Sequence, residues 1–177
     1  PADAGPKPAL AQNELVVVDP QGSVKERLKK RGVAFTEAAD VTALPANAKV
    51  IVLGKDALPE AKSTDSSWHG LAIKGARLLV LEQQSPLHYQ ALPADLDVTN
   101  FTGRIAFPED LGHAAFAGLT QKDFFTWSGD HVVYRNAYKK GTKGARSLAQ
   151  CDNLLNYSAL AECQPGDGLM LLCQMAV

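Results

Sequence analysis

Residues 75–84 read Gly75-Ala76-Arg77-Leu78-Leu79-Val80-Leu81-Glu82-Gln83-Gln84, an apolar strand that ends in amide side chains. In an open α/β sheet, ligands and catalytic groups collect just past the carboxyl ends of such strands. A hydrolase or an amidotransferase would carry a Gly-x-Ser-x-Gly or Gly-x-Cys-x-Gly turn there, because a tight backbone lifts the nucleophile clear of the sheet. The chain continues with Ser85 and Pro86, without flanking glycines, and an amide is not a nucleophile. The stretch therefore predicts a scaffold that is common among enzymes, but without the nucleophile turn that such enzymes usually carry there.

Further strands are expected upstream of this one. Leu15–Val18 and Val50–Leu53 are continuous apolar runs, which are typical of parallel strands buried on both faces. A second short strand is expected at residues 33–36, and the strand quoted above should cover residues 78–81. The spacing leaves room for helices between these strands, as a parallel sheet requires.

Two helices are expected to connect the strands. The first should begin at Ser23, which has capping-box spacing to Glu26, and run to about Arg31. The second should cover residues 67–74 and end at Gly75. Strands and helices that alternate in this way predict right-handed crossovers and a mainly parallel sheet.

The second half of the chain is less regular. We expect short strands at residues 104–107 and 131–134, a short helix at 111–116, and a solvated basic loop at 139–146. Residues 157–162 and 169–174 flank a Pro-Gly-Asp-Gly turn, which predicts a β-hairpin. The sequence thus predicts an α/β, flavodoxin-like three-layer sandwich: a mainly parallel sheet with helices on both faces and a C-terminal β-hairpin at one edge.

Length and composition indicate one ordinary globular domain. The chain has 177 residues, of which 46% are hydrophobic and 21% charged. A net charge of -1 gives no reason to expect nucleic acid or an anionic membrane as partner. No apolar run approaches the roughly 20 residues that span a bilayer.

The amino-terminal residues differ in composition from the rest. Residues 1–13 are rich in proline and alanine and are expected to be a linker, with the domain itself over residues 14–177. Since the chain begins with Pro1 and a linker, we expect it to be processed or to be part of a longer protein.

The sequence gives little sign of a metal site or of a nucleophile. The spacing of His69, His88, His113 and His131 matches no metal motif, so neither a metal nor another cofactor is expected. A Cys-His-Glu triad could use Cys151 with His113 or His131, but Cys151 lacks the glycines of an elbow. We therefore expect no catalytic residue.

Cysteine usage leaves the redox state open. The chain has three cysteines, at positions 151, 163 and 173, without a Cys-x-x-Cys pair. Cys151 and Cys163 could form a disulfide if the protein is exported, whereas Cys173 lies in an apolar strand and is expected to be a buried small hydrophobe.

The turn after the first strand, Asp19-Pro20-Gln21-Gly22-Ser23, sits where doubly wound folds often hold phosphate. It has one glycine and no Walker lysine, so helix capping is the favoured interpretation. A receiver domain would need an aspartate after the third strand, where Gly54 and Lys55 stand instead.

Polar side chains nevertheless follow several of the predicted strands. Glu82 is a carboxylate at a strand end, but glycoside hydrolysis needs two acids facing each other. Trp68, Tyr89, Trp127 and Tyr134 could stack on a sugar ring, although burial is the commoner use of such side chains. The candidate ligand-binding residues, around the carboxyl-end crevice, are Asp19, Gly54, Glu82, Gln83 and Trp127.

Four segments carry a family resemblance: residues 50–58; residues 75–83; residues 113–119 with 123–127; and residues 157–160 with 168–174. Together they resemble a class I glutamine-amidotransferase-like domain, and more specifically the noncatalytic version found within large bacterial glycoside hydrolases of the β-galactosidase type. The third segment is also similar to the His-Pro-x-x-x-Gly-Leu element of trehalose-utilisation-type domains, with Ala114 in place of the proline.

The resemblance implies a flavodoxin-like sheet, a parent enzyme that acts on carbohydrate, and a periplasmic or extracellular location through that parent. It implies no catalysis in this chain, because the cysteine elbow of active relatives is replaced by Gln83-Gln84. The implied partners are other domains of the same parent, a second copy of the chain, and carbohydrate.

Three functions follow from these observations. The leading hypothesis is a noncatalytic accessory or assembly domain of a glycoside hydrolase. The alternatives are a small-molecule or sugar-binding module at the carboxyl-end crevice, and a divergent hydrolase that uses Cys151 or Glu82.

Overall fold

The computed structural model describes residues 10–11, 14–125, 127 and 132–177. These form an α/β protein with a mixed, largely parallel central sheet of ten strands and two α-helices. The strands are β1 (Leu15–Val18), β2 (Thr36–Glu37), β3 (Val50–Leu53), β4 (Arg77–Val80), β5 (Asp97–Val98), β6 (Ala106–Pro108), β7 (Tyr138–Lys139), β8 (Arg146–Cys151), β9 (Tyr157–Cys163) and β10 (Leu169–Cys173). The helices are α1 (Ser23–Lys30) and α2 (Ser67–Ile73).

Five neighbouring strands run parallel, in the order β2-β1-β3-β4-β10. Val24 and Leu28 of α1 pack with Leu15 of β1, whereas Trp68 of α2 belongs to a different buried cluster, which contains Val16. Because successive strand side chains point to opposite faces, the two helices cover opposite faces of the sheet. The predicted parallel arrangement and the two helices are confirmed, but the second strand, predicted at residues 33–36, begins only at Thr36.

The hairpin of β9 and β10 forms as predicted, but its predicted place at one edge is wrong. Strand β10 lies inside the sheet, parallel to β4 on one side and antiparallel to β9 on the other. Met170 and Leu172 are buried, and the alternate residues Leu171 and Cys173 pack against a second buried cluster, which includes Leu148. A strand that is apolar on both faces is suited to an interior position. Beyond β9 the sheet continues antiparallel through β7 and β5, and through β8 and β6.

Several other boundaries in the second half differ from expectation. The helix predicted at 111–116 is a 3-10 turn at Ala114–Phe116, and the first of the two short strands is shifted to β6. Of the strand predicted at 131–134, His131 lies outside the described residues, and Tyr134 makes only isolated bridges to Gly103 and Met175. Of the basic loop expected at 139–146, the first residue, Lys139, belongs to strand β7 and the last, Arg146, begins strand β8. Most of the predicted linker also lies outside the described residues, although Leu10 packs against the α1 side of the sheet.

The three cysteines form no disulfide. Cys151 on β8 and Cys163 on β9 are buried, and burial raises the pKa of each thiol to about 12. Cys173 on β10 was expected to be buried but is half-buried, and this partial burial raises the pKa of its thiol to about 11. All three thiols are therefore protonated near neutral pH.

The turn between β9 and β10 yields a test of this packing. A Cβ at Gly168 would overlap the backbone carbonyl oxygens of Ala72, within α2, and of Ala76, just before β4, and backbone atoms at these places cannot easily move. We expect Gly168→Ala to lower the free energy of unfolding by about 1–3 kcal/mol in urea denaturation.

The matched control is Gly70→Ala in α2, where an added Cβ has no atom within 4 Å. This change should raise stability by about 0.5–1 kcal/mol, because alanine has the higher helix propensity. Equal midpoints for Gly168→Ala and the wild type would contradict the close approach of this turn to α2.

Candidate functional site

The carboxyl ends of the parallel strands bring four of the five candidate residues together. Asp19 follows β1, Gly54 follows β3, and Glu82 and Gln83 come shortly after β4. Asp19 lies so close to Gly54 that a Cβ there would overlap its carboxylate, and the Gln83 side chain donates to the Gly54 carbonyl oxygen at 2.7 Å. We call these four residues the strand-end cluster.

Gln83 is fully buried, and its amide is bonded within the protein. Its Nε2 donates to the carbonyl oxygens of Gly54 and Leu81, both at 2.7 Å. Its Oε1 accepts the backbone N–H of Leu58 at 2.8 Å. Both amide protons and the carbonyl oxygen are thus in use, so Gln83 holds the loops after β3 and β4 together.

Gln174, directly after β10, was missed by sequence reasoning and completes this arrangement. Its Oε1 accepts the Gln83 backbone N–H at 3.1 Å, and its Nε2 donates to the Gln83 carbonyl oxygen at 3.0 Å. The side chain therefore continues the pairing of β10 with β4 past the end of the strands. The available signal was an amide directly after an apolar run, the pattern already noted at Gln83.

Glu82 is buried as an ion, with three partners. Its carboxylate lies 2.9 Å from Lys55 Nζ and 3.0 Å from Arg135 Nη1, and it accepts the Val177 N–H at 2.9 Å. Burial alone would raise the pKa of Glu82, but the bonds from Lys55, Val177 and Arg135 outweigh it and lower the pKa below the ordinary value. A general acid near neutral pH needs a raised pKa, so this environment suits a structural carboxylate.

Asp19 caps α1, which corrects the predicted capping box. Its Oδ2 accepts the backbone N–H groups of Val24 and Lys25 at 2.8 and 3.1 Å. Ser23 is the first residue of the helix instead of its cap, and no side chain bonds from the N-cap position, Gly22. The buried strand end fixes Asp19 beneath the helix amino terminus, where a negative charge is favourable.

Trp127 joins the strand-end cluster through the last residues of the chain. Its indole Nε1 donates to the Ala176 carbonyl oxygen at 2.7 Å, and the next residue, Val177, bonds to Glu82. Of the other aromatic residues considered as sugar platforms, Trp68 and Tyr134 are only 2% exposed and Tyr89 is 55% exposed. Because Trp68 and Tyr134 are buried, two of the four candidate rings cannot stack on a ligand.

The turn after β4 does not have the geometry of a nucleophile elbow. Neither Gln83 nor Gln84 has a positive φ, and β4 is followed within the fully described residues 81–91 by a 3-10 turn at Tyr89–Ala91 in place of an α-helix. His113 bonds to Glu162 at 3.1 Å, so it is engaged away from this edge. In the described part of the chain, no three potential metal ligands cluster, and no helix has the length and apolar character to cross a membrane.

The lowered pKa of Glu82 predicts a pH-dependent contribution to stability. Because the folded pKa lies below the unfolded value, the contribution is present above about pH 4.5 and is lost as the pH falls through the folded pKa. We expect Glu82→Gln to lower stability at neutral pH by about 1–3 kcal/mol and by less in acid, as measured by urea unfolding at both pH values.

The control is Glu60→Gln, at an exposed 3-10 turn, which should change stability equally little at both pH values. A Glu82→Gln effect of the same size in acid and at neutral pH would show that the charge of Glu82 is unimportant.

Comparison with known proteins assigns neither a family nor a function to this chain. No family model matches the chain, and no curated protein matches its sequence. The function has to be inferred from the geometry of the site.

Proposed function

We propose that this chain is a noncatalytic accessory domain that packs against other domains of a larger, carbohydrate-active protein of the glycoside hydrolase type. The observation that carries the proposal is Gln83. It stands where the resemblance would place the nucleophile, is fully buried, and bonds protein groups through both amide protons and the carbonyl oxygen. The alternative of a sugar site in the strand-end cluster would require a ligand to displace these internal bonds.

The strand order supports a flavodoxin-like architecture for the domain. Numbered as they occur along the chain, the parallel strands β2-β1-β3-β4-β10 follow the order 2-1-3-4-5 of that fold. Helices on both faces would supply its outer layers. The carbohydrate-active parent, and with it a periplasmic or extracellular location, rests on the resemblance of the four sequence segments.

An exposed apolar group on the antiparallel half supports packing against another domain. Phe107 on β6 and Phe125 are 38% and 43% exposed, and their ring centroids lie 6.1 Å apart. Ile105, just before β6, is 45% exposed. Among the described strands β6 pairs with β8 alone, so this group lies at an edge of the sheet. Clustered exposed aromatic side chains are typical of interaction surfaces.

The noncatalytic proposal is tested by assays of the isolated chain. We expect it to fold but to turn over no chromogenic galactoside, glutamine or ester, because no activated nucleophile stands at the strand ends. A β-galactosidase, a glutaminase and an esterase serve as positive controls. Turnover that is abolished by Cys151→Ser or by Glu82→Gln would overturn the proposal in favour of a divergent hydrolase.

The accessory role is tested on the protein from its native source. We expect an intact mass well above 18.9 kDa and, in that protein, faster limited proteolysis around this domain after Phe125→Ser. Leu154→Ser is the matched control, because Leu154 is 76% exposed on the turn between β8 and β9. A native mass near 18.9 kDa, or equal proteolysis of both variants, would contradict the proposal.

A further inference from the structure

We propose that a small neutral polyol, of at most monosaccharide size, binds in a pocket between strands β8 and β9 and the loop that precedes β8. The pocket has a volume of about 170 Å³, and its lining includes Glu109, Lys140, Ala145, Ser147, Ser158 and Ala161. It contains none of the strand-end cluster, so the proposal is independent of the accessory role.

Irregular pairing of β8 with β9 creates the polar floor of the pocket. The register skips Leu148 on one strand and Ala159 on the other. Both skipped residues are buried in the core on one side of the sheet. Each extra residue breaks the alternation of side chains, and Ser147 and Ser158 consequently meet on the pocket side, with their hydroxyl oxygens 3.0 Å apart.

The direction of the hydroxyl bonds leaves one acceptor for a ligand. Ser158 Oγ donates to the Leu160 carbonyl oxygen at 2.8 Å, so its own proton is used. Ser147 Oγ must then donate to Ser158 Oγ. No group among the described residues donates a hydrogen bond to Ser147 Oγ, and Ser147 lines the pocket, so this oxygen can accept a hydrogen bond from a ligand.

The mouth of the pocket carries one charge of each sign. Lys140 Nζ lies 3.3 Å from Glu109 Oε1 and also bonds to Gln150 Oε1. Both charged side chains are about one-third exposed or less. The pair has no net charge and offers both donors and acceptors, which matches a neutral ligand whose hydroxyl groups do the same. Leu96, Ala145 and Ala161 supply an apolar wall for the C–H face of such a ligand.

The loop over the pocket is held in place before any ligand binds. Asp95 accepts the Thr142 hydroxyl at 2.7 Å and the Lys143 N–H at 2.8 Å. These bonds, the Thr142 hydroxyl first, lower the pKa of Asp95 to about 2, so they persist across the physiological range. A fixed loop reduces the ordering cost of binding. At about 30 Å³ per water molecule, the pocket holds about six waters, which limits the ligand to the size of a sugar ring.

The test is an NMR titration of the ¹⁵N-labelled chain with D-glucose, myo-inositol and, as a charged analogue, D-gluconate. We expect saturable shifts at amides of residues 140–147 and 157–161, with a dissociation constant on the order of 1–10 mM for a neutral polyol. Ser147→Ala should weaken binding about fivefold, and Lys140→Met about tenfold. Ser85→Ala, in the loop after β4, is the matched control and should bind as the wild type does.

The proposal would be overturned by the absence of a saturable shift below about 0.1 M ligand, by equal binding of Ser147→Ala and the wild type, or by tighter binding of gluconate than of the neutral polyols. Shifts confined to the strand-end cluster would also overturn it and would place the ligand at the other candidate site. Failure of this test leaves the assays of the accessory role unaffected, since those depend on different residues.

Discussion

The two halves of the sheet are joined by β10, which pairs with one strand on each side. On one edge β10 runs parallel to β4, and on the other it runs antiparallel to β9, so it joins the parallel and antiparallel halves. Where the strand ends, the Gln174 side chain takes over and bonds both backbone groups of Gln83. An unpaired buried amide costs about 1–3 kcal/mol, so neither glutamine is replaceable without loss to its partner.

The same position of β10 explains why the usual ligand edge of this sheet is filled. After Gln174 the chain turns back over the strand ends, where Val177 bonds to Glu82 and Ala176 bonds to Trp127. Lys55 and Arg135 supply the positive charges that keep the Glu82 carboxylate ionised in a buried place. The polar groups that sequence reasoning assigned to a ligand thus bond largely to other groups of the protein.

The parallel half of the fold could be predicted because its signals are local. The apolar runs of β1, β3 and β4 and the helical spacing of Val24 and Leu28 are visible in the sequence. The cap of α1 differs from the prediction because Ser23 has capping-box spacing to Glu26, whereas the end of β1 places the Asp19 carboxylate at the first turn of the helix.

What sequence reasoning missed depends on contacts between distant residues. Arg135 and Glu82 are 53 residues apart, and no spacing in the chain links them. A hairpin pattern likewise predicts that β9 pairs with β10, but it contains nothing about β4, the neighbour on the other side. The two skipped residues in β8 and β9 resemble ordinary strand residues until the strands are paired.

The positions of the three cysteines make thiol alkylation a probe of local opening in the sheet. All three thiols lie on β8, β9 and β10, whereas the sequence places none in the first four strands or in either helix. Their raised pKa values make the reactive thiolate scarce while the strands are paired. Cys151 and Cys163 are buried, so their alkylation in native buffer proceeds through openings of β8 and β9, and its rate separates local opening there from unfolding of the whole domain.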